Sequence, residues 1–244
     1  MNAWNDRQIE QHKKAAEILR MIVGEVFEYI QETPGVTEYR AVQFILKRFE
    51  QNGLITDHAP IVAFRENTAF VHYCPGKRSK RIEPDSLIMI DIWARLREPR
   101  APYADITWMG YYGKRVPERI EKVFRTVLRS RDTCIRLVRK KFRDGAPITG
   151  CEAHDAADRI LNKEGYESVH STGHSLGFRS VHGGFPRLGR QGTTALRKNV
   201  GYTIEPGIYI PGEFGVRSEI DFYADRAGVM HITGEVQREM VMIG

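Results

Sequence analysis

Apolar residues recur at helical spacing from Asn5 to Gln31, at Ile9, Ala16, Leu19, Val23, Val26, Phe27 and Ile30, and the breaker run ETPG ends the pattern. Thr37 is a good N-cap for a second amphipathic helix through Ala41, Phe44, Ile45 and Phe49, which stops before Gly53. Shorter apolar runs follow. APIVAF, TAFVHY, DSLIMIDIWARL and, after the breaker cluster REPRAP, YADITWMGY each predict a strand. The sequence of patterns then repeats. A long helix runs from Pro117, at its first helical position, to about Phe142. Thr149 caps another from Cys151 to Lys163, closed by Gly165, and a strand region lies around Tyr166–His174. GYTIEPGIYIPGEFGVRSEID, Gly201 to Asp221, predicts two strands around a tight turn. Helix, helix, strands and hairpin thus occur twice with no linker between them, which predicts one α+β domain over 1–244 with internal pseudo-symmetry.

The acids follow the same repeat. Asp91 and Asp105 are fourteen residues apart about Glu98, and Glu205 and Glu219 are fourteen apart about Gly212. Residues equidistant from a hairpin turn face each other with Cβ atoms ~5 Å apart, so each half is expected to oppose two carboxylates. The flanks LIMID and YTIEPGIYI are too apolar for strands washed by water, and buried carboxylates require cations. Arg217 is the only cation in the segments that immediately flank these acids, LIMID, YADIT, YTIEPGIYI and GVRSEID. Divalent metal ions answer the need better, with carboxylates and a histidine as hard and borderline ligands. His170, His174 and His182, just upstream of the second acidic hairpin, supply imidazoles.

Composition narrows the class. Hydrophobic residues make up 41% and charged residues 28% of the 244, which excludes a disordered chain. No apolar run approaches the ~20 residues of a membrane span. The first residues lack a signal peptide's apolar core, and three cysteines without a CxxC fit a reducing compartment; a cytoplasmic location is expected. The net charge of +6 gathers in RTVLRSRDTCIRLVRKKFRD. Its cations fall opposite Val127, Leu128, Ile135 and Val138 without interleaved aromatics, the pattern of a solvated helix face rather than a nucleic-acid stripe. PGKRS lacks the earlier glycine and the Ser or Thr of a phosphate loop, and no HExxH is present.

IDIW…YADIT, HSTGHSLG…VH, TIEPGIY and GVRSEID, in this order, resemble the pita-bread metallopeptidases: methionine aminopeptidase, Xaa-Pro aminopeptidase and Xaa-Pro dipeptidase. The match runs from about Asn5 onward. The resemblance implies the pita-bread fold, helix-helix-hairpin repeated by a pseudo-two-fold axis around a curved antiparallel sheet. It also implies a dinuclear site in which Asp91 chelates one ion, Asp105 and Glu219 bridge, and His174 with Glu205 completes the other. Arg217, two residues before a bridging acid, resembles the proline-specific branch and is expected at the substrate. His72 in TAFVHYCPG matches the family's histidine on the strand before the first ligand hairpin. Two intervals depart from the family. His182 lies one residue further from His174 than usual, and the Asp91–Asp105 interval is longer, which predicts a longer hairpin loop. The N-terminal domain of proline-specific members is expected to be absent.

By this resemblance the chain is a metal-dependent exopeptidase that cleaves an N-terminal Xaa-Pro bond with a metal-bound hydroxide. Glu205 handles the proton, His72 and His182 hold the carbonyl or oxyanion, and His170 lines the proline pocket. The cofactors are two divalent ions, Mn foremost, with Co, Zn and Fe also suited. The partner is a peptide, with no nucleic acid and no membrane, and a homodimer is left open. The alternatives are a non-catalytic binding module of the same fold, an amidinohydrolase and a methionine aminopeptidase. Retention of all five ligands favours the metalloenzyme.

Overall fold

The computed structural model describes residues 3–244, so the first two residues of the expected 1–244 domain lie outside the described residues. Helix α1 (Asp6–Glu32) starts at Asn5, whose side chain accepts from the Gln8 N–H while Gln8 returns a bond to the Asn5 N–H. Helix α2 (Glu38–Gln51) is capped by Thr37 as its sequence predicts. Both lie on one face of a sheet built from β1 (Leu54–Ile55), β2 (Ile61–Phe64), β3 (Ser86–Leu96) and β4 (Ala104–Tyr112). Leu19, Ile22, Val26 and Phe27 of α1 share a core with Ile88, Ile90, Ile106 and Trp108. Gly110 makes that approach possible, since a Cβ there would stand 2.3 Å from the Phe27 ring.

The second half repeats the arrangement. Helix α3 (Glu118–Arg143) and helix α4 (Gly150–Lys163) pack together. Cys134, Ile135 and Val138 of α3 meet Tyr202, Ile204 and Phe222 of the second hairpin. Pro117 stands at the α3 cap, with ψ 139°, one position before the expected first turn. The outward cations of α3 pair with acids, Arg125 with Glu121, Arg129 with Glu164 and Lys141 with Glu152. The predicted hairpin is broken in the middle into β5 (Gly201–Ile204), β6 (Gly207–Ile210), β7 (Phe214–Arg217) and β8 (Ile220–Ala224). Strand β9 (Met230–Thr233) adds to β8, and β10 (Val241–Ile243) joins β4 in parallel, an exception to the expected antiparallel pairing. Among the described residues no helix is long and apolar enough to cross a membrane.

Two predicted strands do not form as expected. TAFVHY is instead the end of a 3-10 turn (Arg65–Ala69) followed by loop, and the buried Glu38 carboxylate gathers donors from the residues on either side of it and from Tyr73. It accepts from Phe64 N–H (2.7 Å), Asn67 Nδ2 (2.9 Å), Tyr73 Oη (2.7 Å) and Lys80 N–H (3.0 Å). In the Tyr166–His174 region only the end is extended. The Thr203, Glu205 and Leu176 N–H groups bond to His174, Thr172 and Gly201 carbonyls, so residues 172–176 run beside β5 while the residues before them form no ladder.

Glu38 therefore shapes the loop that carries His72. Glu38→Ala leaves its buried donors unpaired and should cost about 3 kcal/mol, lowering Tm by roughly 6–12 °C. Urea denaturation followed by circular dichroism measures this, and an unchanged midpoint would show that Glu38 organises nothing.

Candidate metal centre

Strands β3 and β4 present their acids on one face, but not in the expected register. Asp91 pairs with Thr107 and Asp105 with Trp93, so the two aspartates are diagonal neighbours rather than opposed. The hairpin turns about Pro99 instead of Glu98; moving the centre by one residue moves each partner by two, which keeps both carboxylates on the same face. In the second hairpin the expected symmetry holds. Ile204 pairs with Ile220 and Gly207 with Arg217, which sets Glu205 opposite Glu219 in the gap between the two ladders. Released from the ladder, the Glu205 N–H bonds to Thr172 O (2.7 Å), and the Glu219 N–H points across the halves at Thr107 O (3.5 Å).

His174 enters from the loop beside β5. Its Nδ1 lies 3.1 Å from Ser175 O, which can only accept, so Nδ1 carries the proton and Nε2 is left with a lone pair. That lone pair faces Glu205 Oε1 at 3.4 Å and Asp105 Oδ2 at 3.5 Å. Two carboxylate oxygens and an imidazole nitrogen aimed at one point suit a cation between them. Asp105, His174 and Glu219 offer ligand atoms that all lie within 4.8 Å of one another. The three are 5%, 7% and 4% exposed, and Asp105 Oδ1 is buried without a hydrogen-bond partner.

Asp91 stands somewhat apart from this group. Its Oδ1 lies 3.1 Å from the Thr107 hydroxyl, and its Oδ2 forms an ion pair with Arg217. Arg217 is buried, and its guanidinium also reaches Thr107 Oγ1 (3.0 Å), Tyr209 Oη (3.4 Å) and Val71 O (3.4 Å). The arginine expected at the substrate is thus turned inward onto Asp91, and it is the only arginine or lysine that lines the cavity. Thr107, which sequence reasoning passed over, lies 2.7 Å from Glu219 Oε2 and so ties the two hairpins together. Its signal is parity, since it shares a face with Asp105.

The remaining histidines flank the group. His182 comes within 4.3 Å of the His174 ring because the 176–183 loop closes by a Leu176–His182 bridge, which absorbs the extra residue of spacing. His72 sits on a turn rather than on the expected strand, and is exposed. His72, His182, Arg217 and all five ligand candidates line one cavity of about 380 Å³. His170 lies to one side, its Nε2 3.0 Å from Tyr209 Oη, which in turn contacts Arg217. An acid that the sequence reading did not single out, Asp221, is fully buried two residues beyond Glu219 and accepts the Asp105 N–H at 2.8 Å.

Charge in the cavity is unbalanced. Burial, reinforced by the neighbouring carboxylates, pushes Asp105 and Glu219 well above the usual carboxylate range. Burial also raises Asp91, with Arg217 holding it back. Glu205 differs: burial works to raise it, but His174, His170 and Arg217 together outweigh that and hold it low. Burial lowers His170 and His182, so both rings are neutral at pH 7.

Residues 10–226 match metallopeptidase family M24. The chain belongs to that family. It is 30% identical over 190 residues to an uncharacterized peptidase of Schizosaccharomyces pombe, covering 76% of this chain and 40% of that one. The M24 chain also superimposes on the X-Pro aminopeptidase of Thermotoga maritima MSB8 with a TM-score of 0.87 at 26% identity, over 99% of this chain and 64% of that one. The prolidase of Pyrococcus furiosus gives 0.81 at 26% identity, over 97% and 66%. The chain therefore spans less than two thirds of the length of each of these proteins, and its fold is the pita-bread fold that the family resemblance implies.

M24 enzymes are metal-dependent, and the donors present fit a divalent ion: carboxylates and an imidazole, with an orphaned carboxylate oxygen among them. The excess of acid makes a sign-resolved prediction. A carboxyl group whose pKa is raised by folding stabilises the fold fully below its unfolded value, near 3.8 for Asp105, and loses that contribution as pH rises through the folded value. In chelated protein Asp105→Asn should therefore raise Tm at pH 8, by roughly 2–6 °C, with the gain shrinking towards pH 5. Saturating Mn should reverse the order, because the wild type gains binding energy that the variant lacks. Thermal melts across pH, with and without metal, check this. A variant less stable than wild type at pH 8 in chelator would mean that excess negative charge does not govern the stability of this cavity.

Proposed function

We propose that this chain is an exopeptidase that hydrolyses the bond between an N-terminal residue and a following proline. The observation that carries the reading is the convergence of carboxylates from both hairpins and the lone pair of His174 on one cavity, beside the His170–Tyr209–Arg217 chain. Asp91, Asp105, His174, Glu205 and Glu219 are the residues that would hold two divalent ions, Mn in this proposal. Such a pair, when bound, supplies Lewis acidity and a nucleophile available at neutral pH.

The chain's own groups divide the remaining work. Glu205 is held below the usual carboxylate range, so at neutral pH its carboxylate can accept a proton and return it to the leaving nitrogen. His182 and His72, at the cavity wall, are placed to donate to the substrate carbonyl as negative charge develops on its oxygen. His170, neutral and edge-on to Tyr209 with ring centres 5.4 Å apart, offers a flat wall for a pyrrolidine ring. Arg217 lines the cavity while bonding the carbonyl of Val71, next to His72, so it can contact the substrate and steady the loop at once.

The reading predicts that kcat/KM for Xaa-Pro peptides exceeds that for matched Xaa-Ala and Met-Ala peptides at constant metal, and that chelation abolishes all cleavage. His182→Ala should lower kcat about 100-fold with little change in KM, as expected for a donor that acts on the developing oxyanion. Preference for Met-Ala would move the chain to the methionine-specific branch, and unchanged kcat would take His182 out of the reaction.

A further inference from the structure

The long loop between β3 and β4 is fastened to the segment that carries His182. The Tyr103 N–H donates to Gly177 O at 3.0 Å, and the Gly177 N–H to Val181 O at 3.0 Å. Between loop and segment lies a cleft of about 730 Å³ that adjoins the reaction cavity at His182, a residue that lines both. Arg95, Arg100 and Arg179 line this cleft and no acidic side chain does. Arg95 is fixed, its Nη1 donating to Leu96 O (3.1 Å) and Glu98 O (3.2 Å), while its buried Nε has no partner. Arg100 sits at φ +57°, an uncommon conformation for a residue with a side chain, and it and Arg179 are exposed with no ion-pair partner among the described residues. The nearby acids are engaged elsewhere. Glu98 accepts from Arg7 and Gln11, and Asp57 from Trp93 Nε1 and the Val181 N–H.

An exopeptidase holds one residue and a free amine on the inner side of the scissile bond. A cleft that leads out of its cavity is therefore available only to residues downstream. We infer that the arginine cleft binds a carboxylate on the leaving part of the peptide, from an acidic side chain or from the peptide's own C-terminus. This rests on the exopeptidase reading above. Guanidinium groups pair with carboxylates in a planar, two-pronged geometry that neither amides nor ammonium groups match, so the cleft discriminates by charge and by shape.

The test compares Ala-Pro-Glu-Ala, Ala-Pro-Gln-Ala and Ala-Pro-Lys-Ala, all C-terminally amidated, with Ala-Pro-Gln-Ala bearing a free carboxylate, on Mn-loaded protein. The Glu amide or the free acid should show kcat/KM about fivefold above the neutral peptide, with Lys lowest, and the difference should fade in raised salt. Whichever of the two is favoured identifies the source of the carboxylate. R100Q and R179Q should bring the Glu/Gln ratio towards one, while R136Q on the outer face of α3 should keep it. Equal rates for all four peptides overturn the inference and leave the exopeptidase reading standing. Cleavage of none overturns that reading instead; calorimetric binding of the same peptides then decides the cleft, tighter binding of the anionic ones supporting it and equal binding overturning it.

Discussion

Two hairpins bring four carboxylates to one cavity, and a single guanidinium, that of Arg217, lines it with them. That imbalance of buried charge is the constraint on which the rest of the molecule depends. It explains why Arg217 is drawn inward onto Asp91, why Thr107 stands between Asp91 and Glu219, and why the proton on His174 is directed away to Ser175. The helices supply the rigidity that holds such a cluster together. Each half places two helices on the outer face of its hairpin, so like charges are pressed together by apolar packing rather than by any affinity of their own.

The environment also separates the acids from one another. Asp105 and Glu219 lie deepest in the negative field, and Glu205 borders two imidazoles. Identical side-chain chemistry thus yields two carboxyl groups held above the usual range and one held below it, by position alone.

Much of this was legible in the sequence because it depends on period and spacing. The four helices follow from their apolar stripes and caps, and the opposition of Glu205 and Glu219 from their distance to Gly212. Direct opposition of Asp91 and Asp105 failed because a loop's centre cannot be located to one residue from composition, although the shared face survived the error. TAFVHY alternates like a strand, yet its Tyr73 hydroxyl and the Phe64 N–H just before it are bonded to a buried carboxylate from α2, some thirty residues earlier; local pattern carries no sign of such a distant partner. Asp221, Thr107 and Tyr209 were passed over for another reason. Each acts through a neighbour, and a single sequence gives no weight to a residue whose partner is only known once the halves have met.

The bond from the Asp105 N–H to Asp221 joins residues 116 positions apart, and the contact of Thr107 with Glu219 spans 112. A chain emerging from the ribosome therefore displays its first pair of aspartates long before the second hairpin exists to complete the cluster. During that interval Asp91 and Asp105 form an open, solvated strand face that can capture ions only weakly. An ion that needs ligands from both halves can be held only once the two hairpins have docked, so the order of synthesis sets the earliest point at which such a site could exist.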